Sequence, residues 1–186
     1  MNLILASNSP RRRELLTRLT SDFVVIPSHI DETGTGSPEK LAVETARTKA
    51  RAVGRTERGV VIGADTIVVV DGDVVGKPAT RNLAKKMLQR LSGRPHSVLT
   101  GLCVWNTETG AERTHCEETR VTFRALDDEE IEAYLDTDEY HDKAGAYAIQ
   151  GVAAKFISGI DGDYTNVMGF PLCRLTLLLR EVGVQM

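Results

Sequence analysis

Asp65 stands inside VVIGADTIVVV (60–70), a run that otherwise reads as a buried strand. An ionised carboxylate there is costly unless a cation or strong donors meet it. Such a group suits acid–base chemistry or the ligation of a hard cation; the competing reading is a strand-end bulge marked by Gly63 and Asp65. Lys49 is the second misplaced charge. On a helix over 38–53, Ala42, Ala46, Lys49 and Val53 fall on one stripe, whereas Lys40, Glu44, Arg47 and Arg51 lie on the other side. Lys49 therefore points toward a core or cleft, either as a site residue or with its stem covering apolar surface. Glu32, in HIDET, is a turn former or, paired with Asp65, an oxygen ligand for a divalent cation.

A third oddity is SNSPRRR (7–13). Ser9 is a good N-cap and Pro10 suits the first helical position. Arg11, Arg12 and Arg13 then occupy a first turn whose backbone already carries partial positive charge. A strand, tight loop and helix N-terminus bind anions, and arginines strengthen such a site for polyphosphate. At about 100° per residue the three fan over roughly 200°, so at most two face one ligand and Arg13 turns to solvent. The alternative is a solvated basic run. Lys77, in VGKPAT, ends a return strand and is followed by a chain-restricting proline. DKAGAYAIQG (142–151) is small-sided, and the Gln150 amide offers donor and acceptor; a plain loop and a base-reading loop are both open. His29, His96, His115 and His141 have no ligand spacing and are expected at the surface or in turns.

The elements that must position these groups alternate. Strands are expected at 2–6 and 23–27, with a helix over 10–19 between them and the helix 38–53 after. The strand 59–70 meets Asp71-Gly72, a hairpin signal, and returns through Val74 and Val75; Asp71 and Asp73 flank that turn and should be solvated. A helix over 80–92, strands near 96–106 and 111–125, a short acidic-started helix holding Ile131, Tyr134 and Leu135, a Gly-rich section (142–164) and a helix from Pro171 follow. The hairpin makes the sheet mixed, so the fold class is α/β with a mixed twisted sheet and flanking helices. In a regular strand Thr66 points away from Asp65; if both serve one site, the strand must bulge or end near Gly63.

A length of 186 residues suits a single domain, 1–186, with two lobes. A net charge of −3 argues against nucleic acid, so any polyanion site is local. Cys103, Cys116 and Cys173 form neither a disulfide framework nor a zinc knuckle, which fits a reducing cytoplasm. The start, MNLILASNSPRRR, reverses the order of a signal peptide, and no apolar run reaches membrane-spanning length.

SNSPRR, HIDE, Lys49, GADT, GKP, LSGRPHSVLTG, DKAGAYAIQG and IDGDYTNVMGFP, in this order, resemble the Maf family of nucleoside triphosphate pyrophosphatases over roughly residues 3–182. The resemblance implies a nucleotide cleft between two lobes, in a fold similar to the inosine triphosphate pyrophosphatases. It implies hydrolysis of nucleoside triphosphates to monophosphate and pyrophosphate with Mg²⁺ or Mn²⁺, a role in guarding nucleotide pools, a proposed link to division arrest, and a homodimer. Position by position, Asp65 matches the proton acceptor, and Arg11, Thr66 and Gln150 match the positions that sort substrates. Ser7, Arg12, Glu32, Lys49 and Lys77 match the polar cleft. There Ser7, Arg12, Lys49 and Lys77 would meet phosphate, and Glu32, with Asp65, the metal. SPRR, GADT and IQG resemble the pyrimidine branch, acting on dTTP and UTP; the 7-methyl-GTP branch instead reads SPWR, GSDQ and SEG. Ala148 departs from that branch, which has Gly there. Gln150, by rotating its amide, would also accept cytosine. Two other functions stay in view: a nucleotide-binding division regulator with little catalysis, and a pyrophosphatase for purine or aberrant triphosphates.

Overall fold

A computed structural model describes residues 2–30 and 36–185, so Glu32 lies outside the described residues. The chain divides into two compact units, each entered more than once: 1–66, 100–117 and 169–186 form the first, 67–99 and 118–168 the second. One mixed sheet has strand order β2-β1-β3-β5-β6-β7, with β4 paired to β3.

In the first unit, β1 (Leu3–Leu5) lies parallel to both β2 (Val24–Val25) and β3 (Val60–Val70). Helix α1 (Pro10–Thr17) follows β1, and α2 (Pro38–Gly54) follows β2. Ser37 caps α2 by accepting from the Lys40 N–H, and Pro38 occupies its first turn. The expected stripe, Ala42, Ala46, Lys49 and Val53, is buried, and Ala50 joins it; Ala46, Ala50 and Val53 cluster against Ile4, Val61 and Cys103. Burial pushes the Cys103 thiol up to about 12, so it stays an inert, uncharged filler.

The second unit holds the rest of β3, the turn to β4 (Asp73–Val75), and helices α3 (Arg81–Leu91) and α4 (Asp128–Leu135). Asp71 and Gly72 both take positive φ, 53° and 81°, as a two-residue hairpin requires. Asp71 and Asp73 are exposed, as expected, and pair with Arg94 and Arg90 at 2.9 and 2.7 Å. The core of this unit gathers Leu88, Leu91, Phe123, Tyr134 and Phe156. Strands β5 (Pro95–Asn106) and β6 (Glu112–Phe123) contribute residues to both units; α5 (Tyr164–Val167) belongs to the second and α6 (Leu172–Glu181) to the first.

The Gly-rich section 142–164, to which the sequence assigns no element, holds a strand: β7 (Ile157–Asp161) pairs antiparallel with β6. Its residues after Ile157 are exposed, so it carries no alternating apolar signature. His96 is not at the surface. It is 3 % exposed, between Phe123 and Tyr147, and burial pulls its pKa from 6.5 down to about 4. Between these two values the unfolded chain binds a proton that the folded chain refuses, so stability falls as pH drops from 6.5 toward 4. Urea unfolding at pH 5 should give about 2 kcal/mol less stability from this group than at pH 7, and His96→Phe should remove that part of the loss.

Candidate active site

β3 runs unbroken from Val60 to Val70, so successive side chains leave on opposite faces. Gly63 and Asp65 share the face covered by α2. A Cβ on Gly63 would overlap the Ala46 carbonyl oxygen, and one on Gly101 the Ala42 carbonyl. The two glycines let the helix backbone lie directly on the sheet. Lys49, one turn beyond Ala46 on that stripe, then reaches along the strand: its Nζ donates to Asp65 Oδ1 at 2.7 Å. Both side chains are about nine-tenths buried. This answers how Asp65 sits in an apolar strand: a cation meets it at hydrogen-bond distance, and no bulge is needed. Among the described residues, no hydrogen bond engages Asp65 Oδ2, which remains a hard oxygen donor.

Thr66 takes the other face. Its hydroxyl lies 3.0 Å from Thr100 Oγ1 and accepts from Arg12 Nη2 at 3.0 Å. Arg12, expected to meet phosphate, has every guanidinium nitrogen bonded within this unit. Nε donates to the Gly169 carbonyl at 2.9 Å, and Nη1 to the Ala64 carbonyl at 2.8 Å and to Ser7 Oγ at 3.4 Å. Ser7 Oγ also accepts from the Ser9 N–H, and Ser9 Oγ from the Arg12 N–H that starts α1. The loop 7–12 is thus tied to β3 through one side chain. Arg11 is half-buried beside it and Arg13 is exposed, as the helical fan predicts.

The structure therefore gathers Ser7, Arg12 and Thr66 into one network and Lys49 with Asp65 into another, both built on β3. Lys77 and Gln150 belong to the second unit, where both are exposed. Lys77 follows Gly76, whose carbonyl accepts the Gly145 N–H at 3.0 Å, so Lys77 and the loop of Gln150 are joined through backbone. Ala148 has no left-handed backbone; the positive φ angles in 142–151 fall on Asp142, Gly145 and Ala146, 56°, 70° and 64°. Its methyl is therefore accommodated without backbone strain. Thr100 and Gly169 were not singled out from sequence. Thr100 could have been, as a hydroxyl on a strand that is otherwise apolar at that point; Gly169 acts through its carbonyl, which residue type does not advertise. Among the described residues no group of three His, Cys, Asp or Glu could by itself hold a metal ion.

Removing one member of a buried pair strands the other charge. Lys49→Met should lower stability by about 3–5 kcal/mol. Adding Asp65→Leu to Lys49→Met should restore a large part of that loss in urea unfolding, which would separate the stranded charge from lost packing.

A family model described as "Maf-like protein" matches residues 2–182. The dTTP/UTP pyrophosphatase of Thermococcus gammatolerans is 52% identical over 183 residues, covering 98% of this chain and 97% of that one. That of Ruminiclostridium cellulolyticum is 44% identical over 186 residues, covering 98% and 96%. Among solved structures, the Staphylococcus aureus Ham1 protein overlaps 66% of this chain and 72% of that one, with a TM-score of 0.49 and 16% identity. With SNSPRR, GADT and the Lys49–Asp65 pair inside a match that runs almost from end to end, the chain belongs to the Maf-like protein family.

Proposed function

We propose that this protein is an enzyme that hydrolyses dTTP and UTP to the monophosphate and pyrophosphate. The observation that carries the reading is the buried Lys49–Asp65 contact, in a chain whose relatives are named for this reaction. A protein that only bound nucleotide would have little use for a carboxylate placed at this expense of desolvation, and that reading is not favoured.

Asp65 takes the proton from the water that attacks the α-phosphorus, and the bond to the pyrophosphate oxygen breaks. Lys49 offsets the Asp65 charge in the resting site and offers its ammonium to phosphate oxygens as charge builds on them. The loop 7–12 places the positive end of the α1 dipole toward phosphate. Arg12 shapes that loop by its bonds to Ala64, Thr66 and Gly169 while adding positive charge behind it. Arg11 and Lys77 supply further cations. Gln150 reads the pyrimidine edge with its amide and Arg11 completes the sorting; Thr66, on the opposite face of β3 from Asp65, acts on the site through its bond to Arg12.

Asp65 and Glu32 would hold the divalent cation. Both carboxylates are hard oxygen donors of the kind that Mg²⁺ or Mn²⁺ would take. When bound, Mg²⁺ or Mn²⁺ neutralises phosphate charge. The reaction belongs in the cytoplasm, where Cys103, Cys116 and Cys173 persist as thiols. No helix among the described residues is long and apolar enough to cross a membrane. A homodimer, which the family resemblance implies, is checked by sedimentation.

Purified protein is incubated with each canonical triphosphate and the products are separated. UMP and dTMP with pyrophosphate are expected; preference for purines, or release of orthophosphate, overturns the reading. Asp65→Asn, whose amide oxygen can still accept from Lys49, should lower kcat about 100-fold or more in protein that circular dichroism shows to be folded; retained turnover removes Asp65 as the base. Chelation by EDTA should stop the reaction and added Mg²⁺ or Mn²⁺ should restore it, whereas turnover indifferent to chelation removes the metal.

A further inference from the structure

His96 is a buried titratable group that the reaction does not use. Its Nε2 lies 2.8 Å from the Tyr147 hydroxyl, while Nδ1, buried, has no hydrogen-bond partner among the described residues. Phe123 packs edge-on against both rings, with centroids 5.1 Å from His96 and 4.9 Å from Tyr147. A phenylalanine here would leave no ring nitrogen unmatched, and a buried polar atom without a partner costs about 1–3 kcal/mol. What the imidazole contributes that an apolar ring cannot is the bond to the phenol, which itself needs a partner when buried.

Tyr147 sits in the segment that ends in Gln150, and this segment is fastened on both sides. Upstream, the Gly145 N–H donates to the Gly76 carbonyl at 3.0 Å, and Gly145 and Ala146 turn the chain with consecutive left-handed residues. Downstream, the Glu139 carboxylate accepts the Val152 N–H at 2.8 Å and the Ala153 N–H at 3.3 Å. The Gly151 N–H closes a turn onto the Ala148 carbonyl at 3.1 Å. Between the two fastenings, only Tyr147 sends a side-chain hydrogen bond into the core, and Gln150 is left exposed. A base-reading amide discriminates only if its backbone does not move with the ligand.

We propose that His96 is a positioning residue for base recognition: through Tyr147 it holds the loop that presents Gln150 to the pyrimidine. This rests on the assignment of Gln150 to the base in the preceding section.

Tyr147→Phe removes one oxygen and keeps the ring. The KM for UTP and dTTP should rise about tenfold, the worth of one such hydrogen bond, with kcat within about twofold. The ratio of kcat/KM for UTP over GTP should fall by a similar factor. His96→Phe should do the same. The double variant should be no worse than either single variant, because both remove one interaction. His96→Gln, whose amide can bond the phenol, should recover part of the ratio. Amide exchange in Tyr147→Phe should speed in residues 147–151 while the strands of the second unit keep their protection. Wild-type KM and UTP/GTP ratio in Tyr147→Phe overturn the proposal, as does additive loss in the double variant. If wild-type protein prefers purines, the proposed function fails separately. The positioning role then stands if Tyr147→Phe still changes the ratio between bases and speeds exchange at 147–151, and falls if it does neither.

Discussion

A lysine and an aspartate can be buried together only if neither is ever without the other, and much of the first unit follows from that constraint. The ammonium must arrive within hydrogen-bond reach of a carboxylate that points out of the middle of a sheet. A helix at an ordinary distance from that sheet would leave a gap. Here the gap is closed by removing side chains from the strands: Gly63 and Gly101 let the Ala46 and Ala42 carbonyls of α2 rest where Cβ atoms would be. The alanine stripe of α2 keeps the helix side of the contact thin as well. The ion pair and the small residues are therefore one arrangement, and the strength of the electrostatic contact depends on the closeness of the apolar one.

The opposite face of β3 is organised by a different logic. There a single guanidinium makes four directed bonds, to Gly169, Ala64, Ser7 and Thr66, and joins two separate stretches of chain, the loop 7–12 and Gly169, to one strand. Arginine suits this task because its donors form a rigid planar fork that stays charged at any working pH. The cation that seemed badly placed at a helix N-terminus is thus braced by carbonyls that offset its charge. The helix dipole is opposed by protein acceptors as well as by any anion that docks.

Much of this was legible in the sequence. The burial of Lys49 followed from helical angles, and the turn at Asp71-Gly72 from residue type, because both are local properties. The alternation of strand and helix was readable for the same reason. What was not legible depends on partners distant in the chain. Asp65 admitted both a strand-end bulge and a buried pair, and only the arrival of Lys49 sixteen residues upstream decides between them. His96 looked like a surface histidine because nothing near it in sequence announces that Tyr147 and Phe123 enclose it. β7 was hidden because an edge strand facing water shows no apolar alternation. Arg12 was assigned to phosphate from its place at a strand–loop–helix start and from the family resemblance; its hydrogen bonds to backbone carbonyls could not be foreseen from any side-chain pattern.

The uninterrupted course of β3 has a consequence for how this chain can vary. Asp65 and Thr66 are neighbours that serve opposite sides of one sheet, and their sidedness is fixed by a count of residues from Val60. Insert or delete a single residue early in the strand and parity reverses: threonine would meet the lysine, and the carboxylate would be thrust at Arg12 and Thr100. Substitutions along β3 can be gradual, but length changes cannot. The strand behaves as a reading frame for chemistry, and lineages that keep the reaction must keep its phase.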